Sequence, residues 1–312
     1  MDYIKESGYY KSTDTVNDIA YCVYTPKAKI RAIIQVSHGM CENFGRYEEF
    51  AVFMASKGIL VCGNDHLGHG NSVSTLEDLG YFGEENGWRY IVRDLRTLTA
   101  MMKKQYPDVP YFLLGHSMGS FAVRAYIADF SEKIDGCILL GTNGGETIAR
   151  LGEAVCRQMI KKNGSHHRSE TLDKLSTGLY NERIPDNRTH LDWTTRDAAE
   201  IEKFLADERT NFIFTASGFL DLVQLLSYVT RAEWASEVPK ELPILLASGD
   251  CDPVGNYGRG VMRVFEALSA EGNNAEIRLY AGMRHELLHE IGKEEIFDEL
   301  YLWIEKIIAR MG

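Results

Sequence analysis

The chain has little proline, no excess of basic residues and no paired-cysteine motif. Of its 312 residues 7 are proline, 45% are hydrophobic, and 34 Lys and Arg stand against 45 Asp and Glu, a formal net charge of −11. These values exclude collagen-like, disordered and small disulfide-scaffold proteins. A surface this acidic repels phosphate backbones, so nucleic acid is not an expected partner.

The sequence also lacks a membrane-spanning run and a secretory signal. The longest apolar stretches, near 30–36 and 212–226, are too short or too interrupted by polar residues to cross a bilayer. The N-terminus has no basic segment followed by an apolar one. Because the six cysteines are scattered without Cys-x-x-Cys spacing, we expect reduced thiols in a cytoplasmic protein without stable membrane insertion. No metal and no cofactor is expected.

Short apolar strands alternate with helical patterns in two parts of the chain. Such alternation predicts parallel βαβ units, with helices on both faces of a sheet. The first thirty residues instead predict an antiparallel hairpin. The predicted strands are 32–37, 59–63, 111–114, 136–140, 244–248 and 275–280, and the predicted helices are 47–57, 88–105, 118–129, 261–270 and about 286–310.

Between these two parts the strand signal disappears and the pattern becomes that of amphipathic helices. Four are predicted, at 148–161, 172–180, 195–206 and 219–229. We therefore expect an α/β core domain built from residues 1–142 and 235–312, with a helical cap, residues 143–234, inserted into it.

The pentapeptide Gly115-His116-Ser117-Met118-Gly119 follows one predicted strand and opens a predicted helix. A Gly-x-Ser-x-Gly sequence in that context is typical of a nucleophile elbow, a sharp turn that lifts the serine hydroxyl above the sheet. The start of the helix also offers backbone N–H groups to a developing oxyanion. Ser117 is therefore the candidate nucleophile.

A serine nucleophile needs a base and an acid, which follow it along the chain in this kind of fold. His285 follows the last predicted strand and is the candidate base. For the acid two aspartates compete, Asp250 and Asp252, both after the strand 244–248. Asp252 precedes Pro253, which restricts its backbone and so the direction of its carboxylate. Asp250 follows a glycine and could equally structure the loop, so we favour Asp252.

The oxyanion needs a second backbone donor, and the loop after the third strand is where the elbow acquires it. That loop reads His38-Gly39-Met40-Cys41-Glu42. We expect Met40 and Met118 to supply the two N–H groups.

Taken together, these motifs resemble the monoacylglycerol lipase and lysophospholipase group of α/β-hydrolases, which includes serine aminopeptidase-like members. The resemblance implies an α/β-hydrolase fold, ester hydrolysis, Ser117 as nucleophile, Asp252 as acid, His285 as base, and Met40 with Met118 as oxyanion donors. Cys41 departs from the group, whose members often have glycine there. The segments that carry the resemblance are His38-Gly39, Phe44 to Tyr47, Asp65 to Ser72, Gly115 to Gly119, Gly249 to Val254 and Arg284 to Glu286.

We expect substrate to contact residues near the elbow and on the cap, because a lid over the elbow must present apolar surface to an acyl chain. These residues are His38, Gly39, His116, Phe219 and Leu222. The predicted reaction is hydrolysis of a small carboxylic ester or lipid through an acyl-enzyme.

Four alternatives stay open. A lysophospholipase or a peptidase would use the same triad. A zinc peptidase could use His285-Glu286-x-x-His289, which needs both histidines on one helix and a third ligand downstream. A non-catalytic binding module has no need of a strained elbow.

Overall fold

The computed structural model describes residues 2–130, 134–185 and 187–311, and the side chains of 146–151 lie outside that description. One eight-stranded sheet runs through the molecule in the order β1-β2-β4-β3-β5-β6-β7-β8. Its strands are Tyr3–Lys11 (β1), Asp18–Pro26 (β2), Ala32–Ser37 (β3), Ile59–Asn64 (β4), Tyr111–His116 (β5), Gly136–Leu140 (β6), Ile244–Gly249 (β7) and Ala275–Tyr280 (β8).

The sheet is mostly parallel, as predicted. From β3 and β4 to β8 every neighbouring pair is parallel, whereas β1 pairs antiparallel with β2, and β2 antiparallel with β4. Strands β3 to β7 are buried along their whole length, which explains why they read as continuous apolar runs. The predicted α/β fold with an N-terminal antiparallel hairpin is confirmed.

Ten α-helices accompany the sheet in the described part of the chain. Apolar side chains of α1 and α10 form the core on one face of the sheet, and those of α2, α3 and α9 form it on the other. The helices are Glu48–Ser56 (α1), Gly87–Gln105 (α2), Met118–Phe130 (α3), Glu146–Asn163 (α4), Glu170–Thr177 (α5), Ala198–Ala206 (α6), Ala216–Val229 (α7), Trp234–Glu237 (α8), Arg259–Ala270 (α9) and Lys293–Met311 (α10).

The last helix begins later than the sequence predicts. Residues Leu287–His289 form a short 3-10 helix, and α10 starts only at Lys293. Gly292, with φ of +88°, separates the two, because a left-handed residue breaks the helical run. None of the described helices is long and apolar enough to span a membrane.

The segment between β6 and β7 contains α4 to α8; the first four of these overlap the four helices predicted there, and the short α8 was not predicted. Helix α7 packs on both α2 and α3. The division into a core and a cap of residues 143–234 remains a prediction.

Arg124 holds both ends of this segment. From the middle of α3 it donates through Nη1 to the carbonyl of Asn143, at 2.7 Å, and through Nη2 to the carbonyl of Val229. The guanidinium carbon lies 4.3 Å from the centre of the Trp234 ring. Burial lowers the pKa of Arg124 to about 9. The two carbonyls, one of them at the C-terminal end of α7, and the aromatic face offset only part of this cost of burying the charge.

Asp221 joins α7 to the first turn of α2. Its Oδ1 accepts a hydrogen bond from the backbone N–H of Trp88 at 3.2 Å. Burial raises the pKa of Asp221 to about 7, and the amides of Trp88 and Gly87 oppose this only in part. The carboxyl is therefore protonated over much of the acidic range in the folded protein.

Replacing Asp221 with asparagine should change how stability depends on pH. The folded protein keeps a proton on Asp221 up to a pKa of about 7, while the unfolded chain loses it near the ordinary value of 3.8. The proton on Asp221 therefore contributes its full stabilisation of the fold below pH 3.8, and this stabilisation is lost as the pH rises through about 7. The asparagine side chain stays neutral, so above that window the variant should be more stable by about 2–4 kcal/mol.

Urea unfolding of both proteins from about pH 4 to about pH 8 measures this difference. If the free energies of unfolding of the two proteins run parallel across that range, Asp221 does not carry the raised pKa.

Candidate active site

The elbow forms where the sequence predicts it. Ser117 lies between β5 and α3 with φ of +52°, a conformation that residues other than glycine rarely adopt. Its backbone N–H donates to the carbonyl of Leu140 at 2.9 Å. A Cβ atom at Gly115 would come within 2.5 Å of the Gly119 carbonyl oxygen, and one at Gly119 would overlap the carbonyl of Ser37. Both glycines of the pentapeptide are therefore required for the turn to close.

One of the two competing aspartates contacts the histidine. Asp252 Oδ2 accepts from His285 Nδ1 at 2.9 Å, and both residues are buried. The other carboxylate oxygen accepts from the backbone N–H of Val254 at 2.8 Å. Asp250 is exposed and accepts from the backbone N–H of Gly282 at 2.7 Å. Asp250 therefore structures the loop, and Asp252 orients His285.

His285 lies beside the elbow. Its ring centre is 4.7 Å from that of His116, the residue before Ser117. On the other side is Gly141, with φ of +58°, where a Cβ atom would come 2.8 Å from His285 Cε1. Nε2 of His285 is buried and has no hydrogen-bond partner among the described residues. The imidazole thus turns Nδ1 to Asp252, and its Nε2 is left without a partner among the described residues.

The loop after β3 reaches Ser117 as expected. A Cβ atom at Gly39 would lie 3.3 Å from Cβ of Ser117. The Gly39 N–H donates to Glu42 Oε1, and the Gly39 carbonyl accepts from His38 Nδ1 at 2.8 Å. That carbonyl belongs to the same peptide unit as the Met40 N–H. The two hydrogen bonds therefore fix the direction in which the Met40 N–H points.

His38 supports the loop after β3 from within, and the substrate contact predicted for it remains a prediction. His38 is fully buried, and its Nε2 accepts from the backbone N–H of His66 at 2.9 Å while Nδ1 bonds Gly39. Burial lowers the pKa of His38, so the ring is neutral. Both ring nitrogens of His38 are thus engaged with the backbone of neighbouring loops.

Cys41 has left-handed backbone, with φ of +57°. Glycine adopts this conformation without strain, which explains why cysteine is a departure here. Its thiol donates to the carbonyl of Phe212 at 2.9 Å, and the Asn211 N–H donates to the Cys41 carbonyl at 3.2 Å. Burial raises the pKa of the Cys41 thiol. The loop is thereby tied to the segment that precedes α7.

A buried charge network supports the loop from behind. Glu42 accepts from Arg46 Nη1 at 2.6 Å, from the Tyr47 hydroxyl at 2.7 Å and from His116 Nδ1 at 3.2 Å. Arg46 also donates to Glu286 at 2.7 Å. Burial opposes the charged forms, but His116 and Arg46 hold the pKa of Glu42 well below its ordinary value. Burial lowers the pKa of His116, but the hydrogen bond to Glu42 and the charges of Glu42 and Glu286 together raise it above its ordinary value.

Removing Arg46 should therefore destabilise the protein strongly. Arg46→Met leaves two buried carboxylates, Glu42 and Glu286, without their cation, and we expect the free energy of unfolding to fall by about 3–5 kcal/mol. The matched control is Arg31→Met, because Arg31 pairs with Glu305 at the surface. That change should cost about 1 kcal/mol or less. Urea denaturation of both variants measures these free energies of unfolding. Equal losses of stability in the two variants would contradict the role of burial.

The segment between β6 and β7 covers His285. The Trp193 ring centre is 5.1 Å from that of His285, and Tyr180 packs on the far side of Trp193 at 4.8 Å. Phe219 is buried against Phe214 within the core, and Leu222 is half-buried on the same helix. A substrate contact for Phe219 and Leu222 remains a prediction, as it does for Gly39 and His116.

The zinc-peptidase geometry is not formed. Of the two histidines, His285 precedes the short 3-10 helix and His289 ends it, so they do not share one α-helical face. His289 is buried. Its Nε2 contacts the Arg46 carbonyl at 3.0 Å and its Nδ1 contacts Glu286 at 3.3 Å.

Sequence reasoning missed the residues that support the site. The signal that could have found some of them is the charge of Glu42, Arg46 and Glu286, three charged residues within the motifs that carry the resemblance. Trp193 had no such signal, because one tryptophan in an amphipathic segment is more often core.

A strained serine elbow at the end of a parallel strand, with a buried Asp–His pair from the ends of two later strands, defines an α/β-hydrolase. Comparison with family models agrees, because the model described as "Serine aminopeptidase, S33" matches residues 28–292. The chain belongs to that family, and within it the chain is a monoacylglycerol lipase-like hydrolase.

Relatives match along nearly the whole chain. The monoglyceride lipase homolog of Monkeypox virus is 28% identical over 92% of this chain and 95% of its own length. The monoglyceride lipase of Mus musculus is 28% identical over 94% of this chain and 88% of its own. Among solved structures, a thermostable carboxyl esterase from Bacillus coagulans in complex with glycerol has a TM-score of 0.92 and 30% identity, covering 97% of this chain and 99% of that one.

Proposed function

We propose that this protein hydrolyses carboxylic esters of glycerol or a similar small alcohol, with Ser117, His285 and Asp252 as the catalytic triad. The observation that carries the proposal is the buried hydrogen bond of 2.9 Å between His285 Nδ1 and Asp252 Oδ2. A carboxylate only accepts hydrogen bonds, so Nδ1 keeps its proton and Nε2 has the lone pair of a general base.

In the proposed reaction the Ser117 hydroxyl attacks the ester carbonyl, and its proton passes to His285 Nε2. The tetrahedral oxyanion accepts hydrogen bonds from the N–H groups of Met40 and Met118. His285 then gives the proton to the alkoxide, and the alcohol leaves. Water, activated by His285, attacks the acyl-enzyme and releases the carboxylic acid.

The names of the relatives and the charge of the chain support a neutral substrate. The relatives are called monoglyceride lipases, and the esterase structure contains glycerol. A net charge of −11 repels anionic surfaces, which makes a small uncharged ester the better substrate. The six cysteines are free, in keeping with the cytoplasmic location that the sequence predicts.

The test is a fluorophosphonate label, located by mass spectrometry, followed by a substrate panel. We expect the label on Ser117, and hydrolysis of monoacylglycerols and p-nitrophenyl butyrate. The panel includes a lysophospholipid and an aminoacyl amide, because the family description names an aminopeptidase. If the amide or the lysophospholipid were cleaved faster than every neutral ester, the proposed substrate class would be wrong and the faster substrate would define the class. Failure to label Ser117 would overturn the mechanism.

A further inference from the structure

Ser248 is a buried hydroxyl that the proposed reaction does not use. It lies on β7, four residues before Asp252, and is fully buried. Its Oγ is 3.1 Å from Asp252 Oδ2 and 3.2 Å from the carbonyl oxygen of Gly249. One hydroxyl proton cannot serve both oxygens fully. A hydrogen bond to a charged carboxylate is about twice as strong as one to a neutral carbonyl, so the carboxylate is the favoured acceptor.

The oxygen that Ser248 reaches is also the one that holds the histidine. Asp252 Oδ2 accepts from His285 Nδ1 at 2.9 Å, while Oδ1 accepts from the Val254 N–H at 2.8 Å. Two donors on one oxygen and one on the other fix the carboxylate in its plane. They also share its negative charge, because each donor stabilises part of it.

Gly255 keeps this contact close. A Cβ atom at that position would lie 3.3 Å from Ser248 Oγ and 3.4 Å from Asp252 Oδ2. It would also lie 3.0 Å from a methyl group of Val261, which leaves it no room to move away. The chain thus packs the hydroxyl and the carboxylate against each other.

We propose that Ser248 is a positioning residue of the active site, whose hydroxyl donates to Asp252 Oδ2, fixes the carboxylate against His285 and limits the negative charge that the imidazole experiences. The proposal rests on the triad proposed above and deepens it.

Loss of the hydroxyl should move the pH dependence of the reaction in a defined direction. Without Ser248 as donor, more of the Asp252 charge acts on His285 and favours the protonated imidazole. A protonated imidazole cannot act as a base, so the enzyme loses activity at a higher pH than the wild type. The acid limb of kcat/KM should therefore move to higher pH. The other titratable groups here are His116, whose ring is tilted against that of His285, and Tyr180 and Tyr257, which experience the Asp252 charge. None of them has a hydrogen bond to Ser248 among the described contacts, so the substitution leaves them in place.

The experiment compares Ser248→Ala with Ser248→Thr and with Ser217→Ala, a buried serine on α7 whose hydroxyl contacts Thr215. kcat/KM for p-nitrophenyl butyrate is measured from about pH 5 to about pH 9, and each preparation is normalised by fluorophosphonate titration of active sites. For Ser248→Ala we expect the plateau of kcat/KM to fall about 3- to 10-fold and the acid limb to move to higher pH by about half a unit. Ser248→Thr keeps a hydroxyl and should keep the wild-type limb, as should Ser217→Ala.

A purely structural role would reduce the titrated fraction of active sites and leave the limb in place, and that outcome overturns the proposal. An unmoved limb at full titration also overturns it, because the proton then goes to the Gly249 carbonyl. Asp252→Asn, assayed alongside, separates this failure from that of the triad. If Asp252→Asn is inactive and the limb of Ser248→Ala is unmoved, only the role of Ser248 falls. If Asp252→Asn stays active, the triad falls.

Discussion

Ser117→Ala should reduce the turnover of an ester by about 10⁴-fold or more, while the protein stays folded. The hydroxyl is the only group removed, and it has no side-chain hydrogen bond among the described contacts that could stabilise the fold. Alanine meets the same backbone strain at φ of +52°, so the elbow is retained. The measurements are initial rates with p-nitrophenyl butyrate and urea unfolding, in which the free energy should change by about 0.5 kcal/mol or less.

The matched control is Ser56→Ala at the exposed end of α1, which should keep full activity. Substantial turnover by Ser117→Ala, with background hydrolysis subtracted, would mean that another residue is the nucleophile. If the variant were unfolded under the assay conditions, unfolding would explain its inactivity. Circular dichroism of the variant under those conditions checks this.

Asp252→Asn is expected to lower kcat by about 10³- to 10⁴-fold. The asparagine amide would present a donor to His285 Nδ1, so the ring turns to the tautomer that carries its proton on Nε2. A protonated Nε2 cannot accept the proton of Ser117. Because the side chain keeps its size, the fold should be retained.

Asp250→Asn is the paired experiment, since the sequence offers both residues as the acid. Its Oδ1 accepts from the Gly282 N–H, which an asparagine oxygen can still do. We expect activity within about 2-fold of wild type. If Asp250→Asn were the inactive variant and Asp252→Asn the active one, the observed Asp252–His285 hydrogen bond would not be the catalytic one.

The fold was accessible from the sequence because the strands carry their own signal. Three predicted strands, β3, β6 and β8, have the observed bounds, since each lies between turn residues; β3 and β6 are mostly apolar, and β8 alternates apolar with polar residues. The C-terminal helix is the exception. Its start is predicted at 286 because the hydrophobic pattern takes no account of the helix-breaking effect of Gly292. The hydrophobic pattern also continues through the 3-10 helix, where Leu287 and Leu288 are buried.

At the site, the sequence identified residues whose backbone position is set by strand ends. Ser117, Asp252 and His285 each follow a strand, and parallel strands bring their carboxyl ends to one edge. Asp252 could be favoured over Asp250 from Pro253 and from the family resemblance, but the hydrogen bond to His285 depends on a side-chain direction that no local pattern specifies.

What the sequence could not provide are contacts between distant segments. The pair formed by Arg46 and Glu286 joins residues 240 positions apart. Likewise, His38 occupies a position that is typical of a site residue, and only its burial assigns it to the support of the loop. Electrostatic networks of this kind are decided by tertiary packing, because a charged residue in a loop is more often solvated.

Arg124 has a consequence for how such proteins can diversify. Its guanidinium bonds main-chain carbonyls, at Asn143 and Val229, so the attachment is indifferent to the side chains at both junctions. The chain between these two residues can then be lengthened, shortened or replaced, provided that the new segment places a main-chain carbonyl at each of the two positions that Arg124 bonds. Chimeras joined at these two carbonyls would leave the sheet and the elbow unchanged, and they would measure whether the predicted cap sets the substrate range.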